Sequence, residues 1–322
     1  MAALTTVEKG LGPKAPARML GAVVLIGTIL LFAGGPGPEA SRSAGRLWDL
    51  GHVVLFFSAV QWVLRSSGRG RAMDPARRGA LVLLAAVAFG AATELLQAAV
   101  GGDAEWGDLA RDVLGAAAGL TFFSPAPFLP SRALRRSLRT LVLLLLAAAS
   151  APAAAALWDE ASARRAFPVL SDLEGPFELS RWTGSARLSV SEGVSRSGRQ
   201  SLRLDLGTEE YSGAFLRHFP GDWRGYRALR FRLYNPASAP LALTCRVHDE
   251  EHQQGDQASE DRFNTRIVAH RGWTDVEIPL AVVQAAPKGR FLDLGRIRGV
   301  RFFATRLEAP RTLYLDALRL ER

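Results

Sequence analysis

With a single cysteine in 322 residues, Cys245, the chain has no means of closing an intramolecular disulfide or building a thiolate metal cluster. The surrounding LALTCRV alternates like a strand, so the thiol reads as a small buried hydrophobe. No unit of about 20–50 residues recurs, which removes solenoids. A mean hydropathy of only +0.07 is an average over two unlike halves, the first rich in long apolar runs and the second in short alternating ones. The net charge of +9 would suggest nucleic acid in a soluble protein. Here most arginines of the first half flank apolar runs, which is the pattern of a topology signal, and no nucleic-acid partner is expected.

The first half predicts a helical membrane bundle of about five spans, near residues 19–34, 47–64, 79–100, 109–129 and 140–158. Residues 1–18, with Lys9, Lys14 and Arg18, read as a cytoplasmic tail; a signal peptide is the rival for the first span. The loop RSSGRGRAMDPARR sets five arginines against one Asp, and PSRALRRSLR is basic again. Both belong inside, which puts the acidic GGDAEWGD and everything after the fifth span outside. Only the first outer loop dissents, because Arg42 and Arg46 outnumber Glu39. The domains expected are thus a tail (1–18), a bundle (19–130), a basic loop with a fifth-span tether (131–160) and an extracytoplasmic domain (161–322). Residues 133–160 also have the anatomy of a signal peptide, with cleavage near Ala156 the alternative to a tether.

Polar side chains inside such spans are costly, about 2.5–3.5 kcal/mol on insertion scales, and therefore functional candidates. The candidates are Asp49, His52, Glu94, Gln97, Asp108, Arg111 and Asp112, all near the outer ends of their spans. Glu94 and Gln97 share a helical face, and Asp108, Asp112, Gly115 and Gly119 follow at spacings of four, three and four. The third and fourth spans are expected to pack on each other, with Gly115 and Gly119 as a close-approach seam and His52 or Arg111 as partner of Glu94.

The segments WDLGHVVLFF, ELLQ and EWGDLARDVLGAAAG, in that order, resemble the VanZ-like family of small bacterial membrane proteins, named from glycopeptide resistance. The match covers residues 20–130. It implies that the family's Asp and His fall on Asp49 and His52, its E-x-x-Q on Glu94 and Gln97, its next Asp on Asp108 and its glycines on Gly115 and Gly119. An Arg common before the acidic loop is replaced by Gly102 or Asp103, and an Asn or Asp position is held by Asp112.

The second half carries nine alternating runs, ARLSVS, SLRLDL, GAFLRHF, ALRFRLYN, LALTCRVHD, NTRIVAH, WTDVEIPL, IRGVRFFA and RTLYLDALRL. Period-two alternation between turn residues predicts an all-β antiparallel sandwich. The succession from Trp223 to Pro236, then DRFN, GWTDVEIPL and LYLDALRLE, resembles galactose-binding-like jelly rolls, the fold of many carbohydrate-binding modules. Sugar binding needs aromatic faces and convergent polar groups. The long polar segment from His248 to Asn264 offers His248, Asp249, His252, Asp261, Arg262 and Asn264. Trp223 and Trp273 read as packing residues, whereas Trp182 and Tyr211 are left open. The jelly-roll resemblance also implies a structural calcium ion, with Asp172, Glu174 and Asp316 as oxygen donors. No other cofactor is expected.

The expectation is a multi-pass protein of the bacterial cytoplasmic membrane, binding a lipid-linked or amphiphilic ligand at the outer leaflet and an envelope glycan through the sandwich. A membrane enzyme acting on lipid-linked sugar, with Glu94 and His52 as acid and base, is the first alternative, although no nucleophile motif accompanies them. An assembly role, with the sandwich binding a protein, is the second.

Overall fold

The computed structural model describes residues 15–37, 40–66, 72–99 and 105–322. Lys9, Lys14, Glu39, Gly102 and Asp103 lie outside the described residues. The chain divides into two compact units, Met1–Ala154 and Ala155–Arg322.

The first unit is helical: α1 (Ala15–Phe32), α2 (Arg42–Ser66), α3 (Pro75–Ala99), α4 (Trp106–Phe123) and α5 (Arg132–Ala166), the last running on past the unit boundary. Three of these, α2, α3 and α5, are long and apolar enough to cross a membrane, against the five spans expected from sequence. The apolar stretch of α1 is short, and α4 carries Asp108, Arg111 and Asp112 within its 18 residues. At about 1.5 Å per residue, the 25 residues of α3 reach roughly 37 Å.

Two boundaries also differ from expectation. The fourth helix stops at Phe123 and not near residue 129, because Ser124 precedes Pro125 and is held extended (φ −66°, ψ 135°). The basic stretch after Pro130, expected as a loop, is helix from Arg132 onward: its Leu, Ala and Arg are good helix formers, and the Ser131 hydroxyl accepts from Leu134 N at 3.3 Å.

Large apolar side chains face outward in this unit. Leu84 is 68% exposed and Leu95 72%, while the buried cluster is small: Val60, Leu64, Ala116 and Leu120. A water-soluble bundle buries such residues. The glycine seam holds α4 against α2: a Cβ at Gly115 would stand 2.3 Å from the Val53 carbonyl oxygen, and one at Gly119 3.1 Å from Val60 Cγ1. The α3–α4 contact expected of that seam is made instead where Gly90 faces Asp112 and Leu109.

The second unit is a two-sheet antiparallel β-sandwich. Its strands are β1 (Val169–Ser171), β2 (Trp182–Gly184), β3 (Arg187–Ser191), β4 (Ser201–Leu206), β5 (Tyr211–Leu216), β6 (Ala228–Asn235), β7 (Leu241–Asp249), β8 (Phe263–Ala269), β9 (Gly272–Pro279), β10 (Ile297–Thr305) and β11 (Arg311–Glu321). One sheet runs β3-β4-β11-β6-β9, with β1 also on β11; the other runs β2-β5-β10-β7-β8. The nine alternating runs all form strands, and the two missed, β1 and β2, have three residues each, too few to display a period. Short helices α6 (Glu250–Gln254) and α7 (Leu280–Gln284) follow β7 and β9.

Between the sheets, Phe302 stacks edge-on to Phe231 with centroids 4.9 Å apart, and leucines of β4, β6 and β11 close round them. Cys245 is fully buried there, and burial pushes its thiol well above the usual range. Trp223 is likewise core. Trp182 is buried and donates to Ser171 Oγ at 2.9 Å, whereas Trp273 packs on Tyr234 at 5.1 Å. The end of α5 joins this unit through a buried pair, Arg181 Nε and Nη2 each 2.9 Å from an Asp159 carboxylate oxygen.

Candidate functional site

In the helical unit, His52 (α2), Glu94 (α3), Asp108 and Asp112 (α4) come together. His52 is one turn into the apolar stretch of α2 and Asp112 one turn below Asp108, so the imidazole is held between two successive acids of α4. His52 Nδ1 is 2.9 Å from Asp112 Oδ1 and Nε2 is 3.6 Å from Asp108 Oδ2. Asp112 is completely buried, in a space that Gly90 leaves open: a Cβ there would stand 2.7 Å from Asp112 Oδ2.

The partner expected for Glu94 is therefore not the one it has. His52 is taken by Asp112 and Arg111 by Asp108, so Glu94 Oε2 accepts the backbone N–H of Glu105 at 2.9 Å. Arg111 also lies 3.7 Å from Asp49, which forms the rim with Arg46. Gln97 is directed elsewhere, donating to the Leu31 carbonyl of α1 at 2.9 Å. A second helix-to-helix bond, from Gln61 to the Gly119 carbonyl at 2.9 Å, was not singled out from sequence, although a Gln in an apolar run signals it.

In the sandwich, the outward face of the sheet β2-β5-β10-β7-β8 is the second candidate. Register places Thr183, Phe215, Arg301, Arg246 and Asn264 side by side across all five strands. The next outward-pointing row contains Phe303, Thr244 and Arg266. Three adjoining depressions of about 620, 420 and 300 Å³ lie along this face, the first two sharing Phe303 and the last two sharing Phe215, Arg246 and Arg301. Tyr211 lines the middle one, 58% exposed and edge-on to Phe303 at 5.7 Å.

The face is cationic. Among the described residues, Arg217, Arg246, Arg262 and Arg301 form no ion pair with any carboxylate, although the chain is otherwise dense in such pairs. The Arg301 guanidinium lies 4.4 Å over the Phe215 ring, with Arg217 at 5.6 Å from the same ring. Burial, with Arg262 and Arg301 adding repulsion, pulls Arg246 down to about 10, and burial lowers Arg262 and Arg301 as well. Nε of Arg246 and Nε of Arg301 are buried without a hydrogen-bond partner. Guanidinium groups held in this state gain from an arriving anion.

Of the loop residues picked from sequence, Arg262 and the two histidines line these depressions. His248 is buried between the Phe215 and His252 rings, and burial, then Arg246, pushes it down to about 3. His252 Nε2 is 2.9 Å from Arg246 Nη2. Asn264 accepts from Arg262 Nε at 3.3 Å. Asp249 and Asp261 are consumed by structure: Arg290 clamps Asp249 at 2.7 and 2.9 Å and also grips Asp261, while Asp249 caps α6 through His252 N at 3.1 Å. Burial works to raise Asp249, but the hydrogen bonds from Arg290, Asp293 N and His252 N together hold it below its usual range, and the bonds from Arg290 do the same for Asp261.

The three acids read as calcium ligands do not converge within 4.8 Å of one another. Glu174 Oε1 accepts from Arg199 N and Gln200 N at 2.6 and 2.8 Å, and Asp316 Oδ2 from Arg196 N and Ser197 N at 2.7 and 2.9 Å. Asp172 Oδ1 accepts from Glu174 N at 3.3 Å. Glu174 and Asp316 thus hold the loop before β4, and Asp172 holds the turn after β1.

No protein-family model matches the chain, and no curated protein matches it. Among solved structures, the chain is similar to the family 11 carbohydrate-binding module of Clostridium thermocellum in complex with a β-1,3-1,4-mixed-linked tetrasaccharide, at 18% identity, over 48% of this chain and 94% of that one, TM-score 0.37. It is also similar to a CBM22-2 xylan-binding domain from Paenibacillus barcinonensis, at 15% identity, over 48% of this chain and 98% of that one, TM-score 0.33. An exo-β-agarase gives 17% identity over 48% of this chain and 24% of its own, TM-score 0.38. At these values the likeness transfers no function.

Proposed function

We propose that this chain is a membrane-anchored receptor for acidic glycans. The observation that carries the proposal is the group of arginines without a carboxylate partner beside the exposed Tyr211 and the half-buried Phe215 and Phe303 on one sheet face of the sandwich. Sugar rings stack on aromatic faces, and the carboxylates or phosphates of an acidic polysaccharide neutralise guanidinium groups bidentately. The adjoining depressions suit an extended chain more than a single sugar. An array of neutral and acidic polysaccharides probed with segment 155–322 tests this: retention on acidic members is expected, and retention on none, or on neutral members alone, would remove the proposal.

The membrane anchor is supported by the three long apolar helices and the outward leucines of the helical unit. Trp106, 87% exposed at the start of α4, suits the membrane–water interface. Basic loops before α3 and after α4 support a bacterial cytoplasmic membrane with residues 161–322 outside and 131–160 as tether, a topology that requires the 18-residue α4 to cross as well. A VanZ-like assignment for residues 20–130, with a lipid-linked or amphiphilic ligand at the outer leaflet, is supported by the order of motifs and by the meeting of His52, Glu94, Asp108 and Asp112. Because Cys245 is buried, a cysteine at position 106 reports its own accessibility. Labelling from outside is expected; labelling only from the cytosol would reverse the orientation.

A further inference from the structure

Each acid of the helical cluster has one oxygen committed and one left over. Asp108 Oδ1 is bonded to Arg111, and Oδ2 faces His52 Nε2. Glu94 Oε2 takes the Glu105 amide, and Oε1 is buried without a partner in a side chain only 8% exposed. Asp112 Oδ1 takes His52 Nδ1, and Oδ2 is buried without a partner. A carboxylate oxygen buried without a partner is costly, so Glu94 Oε1 in particular calls for one.

The donor set has the spacing of an ion's shell. One ligand atom each from His52, Glu94 and Asp108 lie within 4.8 Å of one another. The 3.6 Å between His52 Nε2 and Asp108 Oδ2 is too long for a hydrogen bond. Two ligands each about 2.1 Å from a tetrahedral ion stand roughly 3.4 Å apart, close to that separation. Asp112 meanwhile does what a carboxylate behind a metal-bound histidine does: accepting the Nδ1 proton, it leaves the Nε2 lone pair directed at the ion. The charges agree, since Asp49, Glu94, Asp108 and Asp112 against Arg46 and Arg111 leave two negative charges to be balanced.

We propose that His52, Glu94 and Asp108 bind one divalent transition-metal ion, with Asp112 as the residue that positions His52. One imidazole and two carboxylates favour zinc or manganese, and three protein ligands leave a coordination position for water or a phosphate oxygen.

The test uses the full chain in nanodiscs, stripped with chelator, with no lipid-linked sugar or glycan added, so its outcome is independent of the glycan reading. Zn²⁺ and Mn²⁺ uptake are measured by mass spectrometry of the metal, and Co²⁺ substitution by visible absorption. About one ion per chain is expected, with ligand-field bands from cobalt. Glu94→Gln and Asp108→Asn should lower affinity at least tenfold with helix content retained by circular dichroism, and Asp112→Asn about 10–100-fold. Asp74→Asn, at the opposite end of α3, should bind as the parent does. Failure of the parent chain to take up any of the three ions, or uptake unchanged in both Glu94→Gln and Asp108→Asn, would overturn the proposal.

Discussion

Arg301→Met separates a binding role for the cationic face from a structural one. Arg301 is on the central strand β10, flanked in register by Phe215 and Arg246. It makes no ion pair among the described residues, and its Nε is unpartnered. Folding therefore gains little from its charge. Loss of the contact over Phe215, about 0.5–2 kcal/mol, is offset by relief of repulsion from Arg217 and Arg262. Methionine preserves the aliphatic stem, so segment 155–322 should melt within about 2–4 °C of the parent. Binding should respond quite differently. A charge-assisted hydrogen bond to a glycan carboxylate is worth about 1.5–3 kcal/mol, and at 1.4 kcal/mol per tenfold its removal weakens affinity by roughly 10–150-fold. Isothermal titration with an acidic polysaccharide and differential scanning fluorimetry on the same variant read both. An affinity within twofold of the parent, or a collapse in stability without a binding defect, would refute the reasoning.

Three further outcomes follow from the same geometry. Acid should unfold the sandwich early: His248 stays neutral down to about pH 3 when folded but protonates near 6.5 when unfolded, so between those values the unfolded state holds the extra proton and stability falls as pH falls, by up to about 1.4 kcal/mol per pH unit. Burial lowers His252 as well, and His248→Phe should take one proton from the slope measured by urea titration at several pH values. Arg290→Met strands a fully buried Asp249 and should cost about 3–5 kcal/mol in denaturant unfolding, whereas adding Asp249→Asn should recover part of that loss. Gly115→Leu drives a side chain into the Val53 backbone and should separate α2 from α4, read as a lowered melting temperature of the nanodisc-embedded chain.

What could be read in advance followed the length of the pattern. Nine strands were legible because period-two alternation ran over five or more residues with turns between, and the helices were legible from apolar runs. Three of the five expected spans meet length and hydropathy, α1 being short and α4 mixing three charges into its apolar face, and α5 extends through arginines that sequence assigns to a loop. In the helical unit, the identity of the cluster was visible as polar residues in apolar surroundings, but the pairing was not: whether His52 meets Glu94 or Asp112 depends on helix rotation, which the glycines at 90, 115 and 119 set through close approach. In the sandwich, loop polarity pointed to Asp249 and Asp261, which are spent on Arg290. The arginine row was hidden because Phe215, Arg246 and Arg301 are far apart in sequence and adjacent only through strand register. The one sequence signal for them was the polar phase of each alternation, which marks a solvent face without saying which strands share it.

The most direct test compares one acidic polysaccharide, alginate, with the same polymer after reduction of its carboxylates to alcohols, titrated into segment 155–322 at low and high salt. Binding of the acid form that weakens with salt, and at least a tenfold loss on reduction, is expected from a face that pairs guanidinium groups with anions. Equal affinity for the two polymers, unaffected by salt, would contradict it.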